Sequence, residues 1–173
     1  MIDWTDEFLV TRPGVLGYYP ADVDHPVADT WYITVPLAPF SADDEYEPAT
    51  FRPGAAGPTL VETEISLDSI SLPATDPAAL SGRAFTFPVN PEDGYIDGSV
   101  YLVATHCPVD VTRIEFGEWE GGRLRATLHA CFAFDMAGAI NIRDREAVLD
   151  TELRFEVARP VAGPVPGPGA GPV

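Results

Sequence analysis

Residues 124–135 read LRATLHACFAFD, and this stretch decides the fold. Leu124, Ala126, Leu128, Ala130, Phe132 and Phe134 fall on one side of an extended chain; Arg125, Thr127, His129, Cys131 and Ala133 fall on the other. Successive side chains of a strand point to opposite faces, so this sustained period of two predicts a strand with one buried face. Immediately upstream stands Gly121-Gly122. Both positions accept positive φ, which is what a two-residue hairpin turn demands. The turn folds residues 109–118, VDVTRIEFGE, back against 123–134. Within that partner Val109 and Val111 hold one phase, and Ile114 and Phe116 hold the other. A bulge near Thr112-Arg113 restores the register. Taken without the bulge, the hairpin sets Cys131 opposite Thr112.

The same period recurs along the chain. Residues 30–37, TWYITVPL, put Trp31, Ile33, Val35 and Leu37 on one face. Residues 60–67 put Val61, Thr63, Ile65 and Leu67 inward and Glu62, Glu64 and Ser66 outward. Residues 83–89 align Phe85, Phe87 and Val89. Residues 149–157 align Leu149, Thr151, Leu153, Phe155 and Val157 against Asp150, Glu152, Arg154 and Glu156. Residues 95–105, YIDGSVYLVAT, carry apolar side chains on both faces, as a central strand or a strand lining a ligand cavity would. Asp76-Pro77 reads as a helix cap and first-turn proline ahead of a single turn over 77–81, closed by Gly82. A second helical turn is expected over 143–147, while residues 3–10, with Trp4 and Phe8, stay ambiguous between helix and loop. Seven strands joined by short turns predict an all-β fold. A single antiparallel β-sandwich is preferred because most strands show one apolar face; a flattened β-barrel is the alternative.

One domain of 158 residues accounts for these elements, carrying a long acidic loop at 38–58. Residues 159–173, RPVAGPVPGPGAGPV, form a Pro/Gly tail with too little apolar surface to pack. A chain of 173 residues buries roughly 70% of its unfolded surface, enough to fold without disulfides or metal. The N-terminus has no basic-then-apolar leader and no apolar run reaches membrane-spanning length, so a cytoplasmic location is the expectation. Cys107 and Cys131 are expected as reduced thiols.

Charge narrows the partners. The chain has 27 Asp plus Glu against 10 Arg and no Lys, a net charge of −17. Such a field repels phosphate, which excludes an ordinary nucleic-acid binder and disfavours anionic membranes. It steers basic proteins inward. The imbalance is uneven: residues 1–82 hold 14 acids and 2 Arg, net −12, and residues 83–173 hold 13 acids and 8 Arg, net −5. Asp43, Asp44, Glu45 and Glu47 make the densest cluster, and Trp119, beside the glycine turn between Glu118 and Glu120, has the character of an interface anchor. These five residues are the partner-binding candidates.

Catalytic and metal chemistry find little support. His25, His106 and His129 with Cys107 and Cys131 are the soft-ligand set, but no zinc-type spacing links them. His106 and Cys107 are strand neighbours and should point apart, so their adjacency makes no dyad. No GxSxG elbow and no phosphate-binding glycine loop is present. The acids of 62–68 and 150–156 read as solvated strand faces, and Asn90, Glu92, Asp93 and Asp97 as turn residues. No catalytic residue, cofactor or metal is therefore assigned. The leading expectation is a small acidic domain that binds a protein partner, an immunity or inhibitor protein against a basic toxin or nuclease being one concrete version. The alternative is a barrel that takes a small molecule beside Tyr95, Tyr101 and His106 and has enzymatic potential. A structural or assembly subunit is the third reading.

Overall fold

The computed structural model describes residues 6–21, 27–42, 59–102, 105–135 and 143–157. Ten strands lie among them: β1 (Gly14–Tyr19), β2 (Thr30–Pro36), β3 (Phe40–Ala42), β4 (Thr59–Val61), β5 (Glu64–Ile70), β6 (Ala84–Thr86), β7 (Asp97–Leu102), β8 (Thr105–Glu120), β9 (Arg123–Phe132) and β10 (Arg145–Val157). Two 3-10 turns, Asp6–Phe8 and Pro77–Leu80, are the helical elements of this set. Among the described residues no helix is long and apolar enough to cross a membrane.

The hairpin of β8 and β9 is the seam on which the sheet closes. Its turn has φ of 58° at Gly121 and 80° at Gly122, and Glu120 pairs with Arg123 across it. From β8 the hydrogen-bonded order runs β7, β5, β2, β1, β10, β9, and β9 returns to β8. The all-β class stands, and of the two architectures the sequence allows the chain takes the barrel, with seven strands in the ring. β6 adds to the β7 side of β8, and β3 with β4 forms a separate two-stranded ribbon. Closure leaves a ring strand no free edge along its paired length, a hazard that an open sheet must manage otherwise. One pairing, β1 with β10, is parallel; the others are antiparallel.

The interior is filled by the alternating residues. Trp31, Ile33 and Val35 of β2 meet Leu124, Leu128 and Phe132 of β9 in one continuous core, all at 1% exposure or less. The stacked rings of Phe132 and Phe134 lie 5.7 Å apart. The buried Trp31 indole N–H is satisfied by the Ala74 carbonyl at 2.8 Å, as a buried tryptophan requires.

The expected bulge is present. The register slips between Val111 and Arg113, and Val109, Val111, Ile114 and Phe116 are all buried. A second slip lies between Phe116 and Trp119, and the two together move Cys131 from opposite Thr112 to opposite Asp110.

Several local readings are corrected. β1 contains two glycines in six residues, GVLGYY, which hides its period. Tyr32 of β2 lies across Gly17 where a side chain would stand, and its ring packs on Tyr19 at 4.8 Å, so a neighbour's aromatic replaces the missing surface. Residues 60–67 are two strands, because the chain leaves its pairing with β3 at Val61 and joins β2 at Glu64. The strand expected over 83–89 stops at Thr86: Phe87 still donates to Thr112 at the bulge, Pro88 has no N–H to give, and Val89 is 43% exposed. Residues 145–147 pair with Phe132, Cys131 and Ala130 as the start of β10 rather than forming a helical turn. The turn at Pro77–Leu80 follows the expectation, with the Asp76 carboxylate accepting from the Ala78 N–H at 2.9 Å.

Candidate functional site

The sequence candidates separate into four places. Asp43, Asp44, Glu45 and Glu47 lie outside the described residues, as do Trp4, His25 and the tail. Their flanks are described: Phe40–Ala42 pairs with Thr59–Val61, Phe40 opposite Val61, so the acidic segment is the connection of a two-stranded ribbon.

Trp119 is half-buried. Its ring stands edge-on to Phe155 at 6.3 Å, Phe155 meets Trp31 at 5.9 Å, and the Trp119 backbone N–H donates to the Ser81 hydroxyl at 2.9 Å. The indole is folded back onto the aromatic end of the core, at the Trp31 end of β2. The ribbon follows the Pro36 end.

Tyr101 and His106 are brought together. They are register partners across β7 and β8, with rings edge-to-face at 5.0 Å. Both face out of the barrel, and Tyr101 is 56% exposed. The inward side of β7 is Gly98, Val100 and Leu102, all buried, and Ile96 just before the strand is buried with them. Tyr95 is not part of this pair. It lies six positions upstream, about 20 Å along an extended chain.

Beside Tyr101 runs an open groove of about 570 Å³, whose walls include Arg12, Pro36, Pro39, Glu62, Thr63 and Glu64, so that two carboxylates outnumber one guanidinium along it. Thr63 fixes it: its hydroxyl donates to the Tyr101 carbonyl at 2.5 Å, and its own carbonyl accepts from the Leu37 N–H at 2.9 Å. Glu62 and Glu64 are exposed, and among the described residues neither has an ion-pair partner within 4.0 Å. The break between β4 and β5 that splits residues 60–67 is what presents them here. The period alone had set these carboxylates on a plain solvated face.

Of the remaining candidates, His129 and Cys131 lie on the outer face of β8, β9 and β10 and Cys107 does not. Glu115 accepts from the Arg113 guanidinium at 2.9 Å and bonds the His129 ring at 3.0 Å; these two partners, Arg113 first, hold its carboxyl below the usual range. Cys131 is half-buried on this face, and Cys107 is buried inside the barrel, where desolvation pushes its thiol up to about 11. A thiol so placed is a packing group and not a nucleophile. Among the described residues no three His, Cys, Asp or Glu side chains are grouped to hold a metal ion.

No family model, no curated protein and no solved structure matches this chain. The geometry of its own surface therefore carries the functional argument.

Proposed function

We propose that this chain is a protein-binding domain for a basic partner, and that the groove beside Tyr101 receives a Lys- or Arg-bearing segment of it. One observation carries the reading: an exposed tyrosine flanked by two unpaired carboxylates, in a groove next to the strand on which the acidic segment returns. A guanidinium or ammonium laid against Tyr101 gains a cation–π contact, and Glu62 and Glu64 supply charge-assisted hydrogen bonds. Tyrosine inside a polar rim is a common energetic centre of interfaces. The net charge of −17 adds long-range steering toward the same class of partner. An inhibitor of the immunity type against a basic toxin or nuclease fits this charge and size.

The test is affinity capture from host lysate at low and high salt, followed by association kinetics with the retained protein. A stoichiometric basic protein lost at high salt is the expected result. Tyr101→Ala, or Glu62→Gln with Glu64→Gln, should then weaken binding at least about tenfold. Neutralising Asp43, Asp44, Glu45 and Glu47 together should slow association and flatten its salt dependence. Capture of nothing basic, or binding indifferent to all of these changes, refutes the proposal.

A further inference from the structure

A second groove, of about 800 Å³, crosses the outer face of β8, β9 and β10. Gly117 lines it at the register slip between Phe116 and Trp119, and Arg125 packs close over this glycine, its Cβ 3.2 Å from where a Gly117 Cβ would stand.

The charges around this opening are unevenly committed. Glu115 is engaged by Arg113 and His129. Glu152 faces Arg125 in the ladder yet pairs with Arg123. Asp150 accepts the Thr127 hydroxyl at 2.6 Å on one carboxylate oxygen. The groove's two arginines, Arg12 and Arg125, differ from every other described arginine. Among the described residues neither guanidinium has an ion pair, hydrogen bond or ring partner, whereas Arg83 covers the Phe85 ring and every other described arginine is engaged. In a chain with so large an acidic excess, two exposed guanidiniums without a carboxylate within 4.0 Å, both lining one groove, form an unsatisfied cationic site.

A simple anion is a poor match, because the field of the whole molecule repels it. A zwitterion carries no net charge and escapes that repulsion. It offers a carboxylate to the guanidinium fork and an ammonium to the remaining carboxylate oxygens. We infer that the groove over Gly117 binds a small zwitterion of the α-amino-acid class, its carboxylate on Arg125 and Arg12 and its ammonium on Asp150.

The test uses the ¹⁵N-labelled full chain, titrated with glycine, L-leucine and L-glutamine, and separately with acetate and with methylammonium. At least one amino acid should give saturable shifts of the Gly117, Arg125 and Asp150 amides. Acetate and methylammonium, each keeping one of the two charged contacts, should bind at least about tenfold more weakly. Arg125→Gln and Asp150→Asn should each weaken the amino acid by a similar factor. Both positions are exposed, and an unchanged dispersion of the remaining amides verifies the fold of each variant. Absence of saturable shifts with all three amino acids overturns the inference. So does acetate binding as tightly as the best of them, or an affinity unmoved by Arg125→Gln.

Discussion

Gly98→Ala tests whether β7 and β8 meet as tightly as barrel closure requires. Gly98 points inward on β7, paired with Leu67 of β5, one position beyond the last β7–β8 register pair, Ser99 with Pro108. A Cβ built there stands 2.1 Å from the Val109 carbonyl oxygen and 3.0 Å from Leu67 Cδ2. Real Cβ atoms essentially never come within 3.0 Å of another heavy atom, so the overlap with the oxygen is roughly 1 Å. The obstacle is backbone, and it belongs to the strand that also pairs with β9 at the closing seam. It cannot rotate away as a side chain would; β8 must move as a unit or lose its pairing at this corner. Overpacking of this kind costs about 1–3 kcal/mol, more where backbone is displaced, against about 0.4–1 kcal/mol gained from the stiffer unfolded chain. With backbone as the obstacle the cost sits at the upper end of that range, and the net expectation is a loss of about 2 kcal/mol, a large share of the ~5–15 kcal/mol that holds a typical domain. Urea unfolding followed by tryptophan fluorescence reads it directly, since Trp31 is 1% exposed. Gly117→Ala is the control: its Cβ meets the Arg125 Cβ at 3.2 Å, where a displacement of a few tenths of an ångström suffices, and it should cost about 1 kcal/mol or less, the low end for overpacking. A Gly98→Ala variant as stable as that control would show that β7 and β8 do not approach as described.

Two pH effects follow from the titrating groups. Burial raises the Cys107 thiol from 9.0 to about 11, so the folded chain keeps a proton that the unfolded chain loses first. Stability from this group is full below pH 9 and is lost as pH rises toward 11; with Tyr18, Tyr19 and Tyr32 also raised, stability should fall steeply on that limb. Urea midpoints measured across it should fall less for Cys107→Ala than for the parent, and an identical slope would refute the assignment. Glu115 is shifted the other way, so its contribution is present above about 4.5 and disappears as pH falls through its lower folded value. Glu115→Gln should therefore be less stable than the parent near neutrality, and the two midpoints should converge in acid; a gap that persists there would contradict the pairing with Arg113 and His129.

Much of the fold was legible because a strand writes its buried face into every second residue. Residues 124–134 and 31–37 name their core positions outright, and the glycine pair at 121 and 122 names its turn. The phase slip at Thr112 announced a bulge even before any partner was known. Legibility ended where a side chain's role depended on its neighbours. β1 was invisible because Gly17 borrows its cover from Tyr32, a residue of another strand. Glu62 and Glu64 have the spacing of an ordinary solvated face, and only the change of pairing partner at Val61 sets them beside Tyr101. Tyr95 and Tyr101 share a strand face in sequence, yet the reach of an extended chain separates them. Arg12 and Arg125 carry no motif at all, and they share a groove because β1, β10, β9 and β8 lie side by side.

The amino-acid sequence alone determined the all-β class, the inward residues of most strands, the hairpin turn, the capped 3-10 turn at Asp76 and the acidic excess of the chain. These are local or additive properties: a period of two, a positive φ, a sum of charges. Tertiary structure alone decided that the sheet closes into a barrel, that one pair of strands runs parallel, and which surface charges remain without partners. Each of those depends on registers between strands far apart in the chain, and a register is a relation between segments that neither segment encodes by itself.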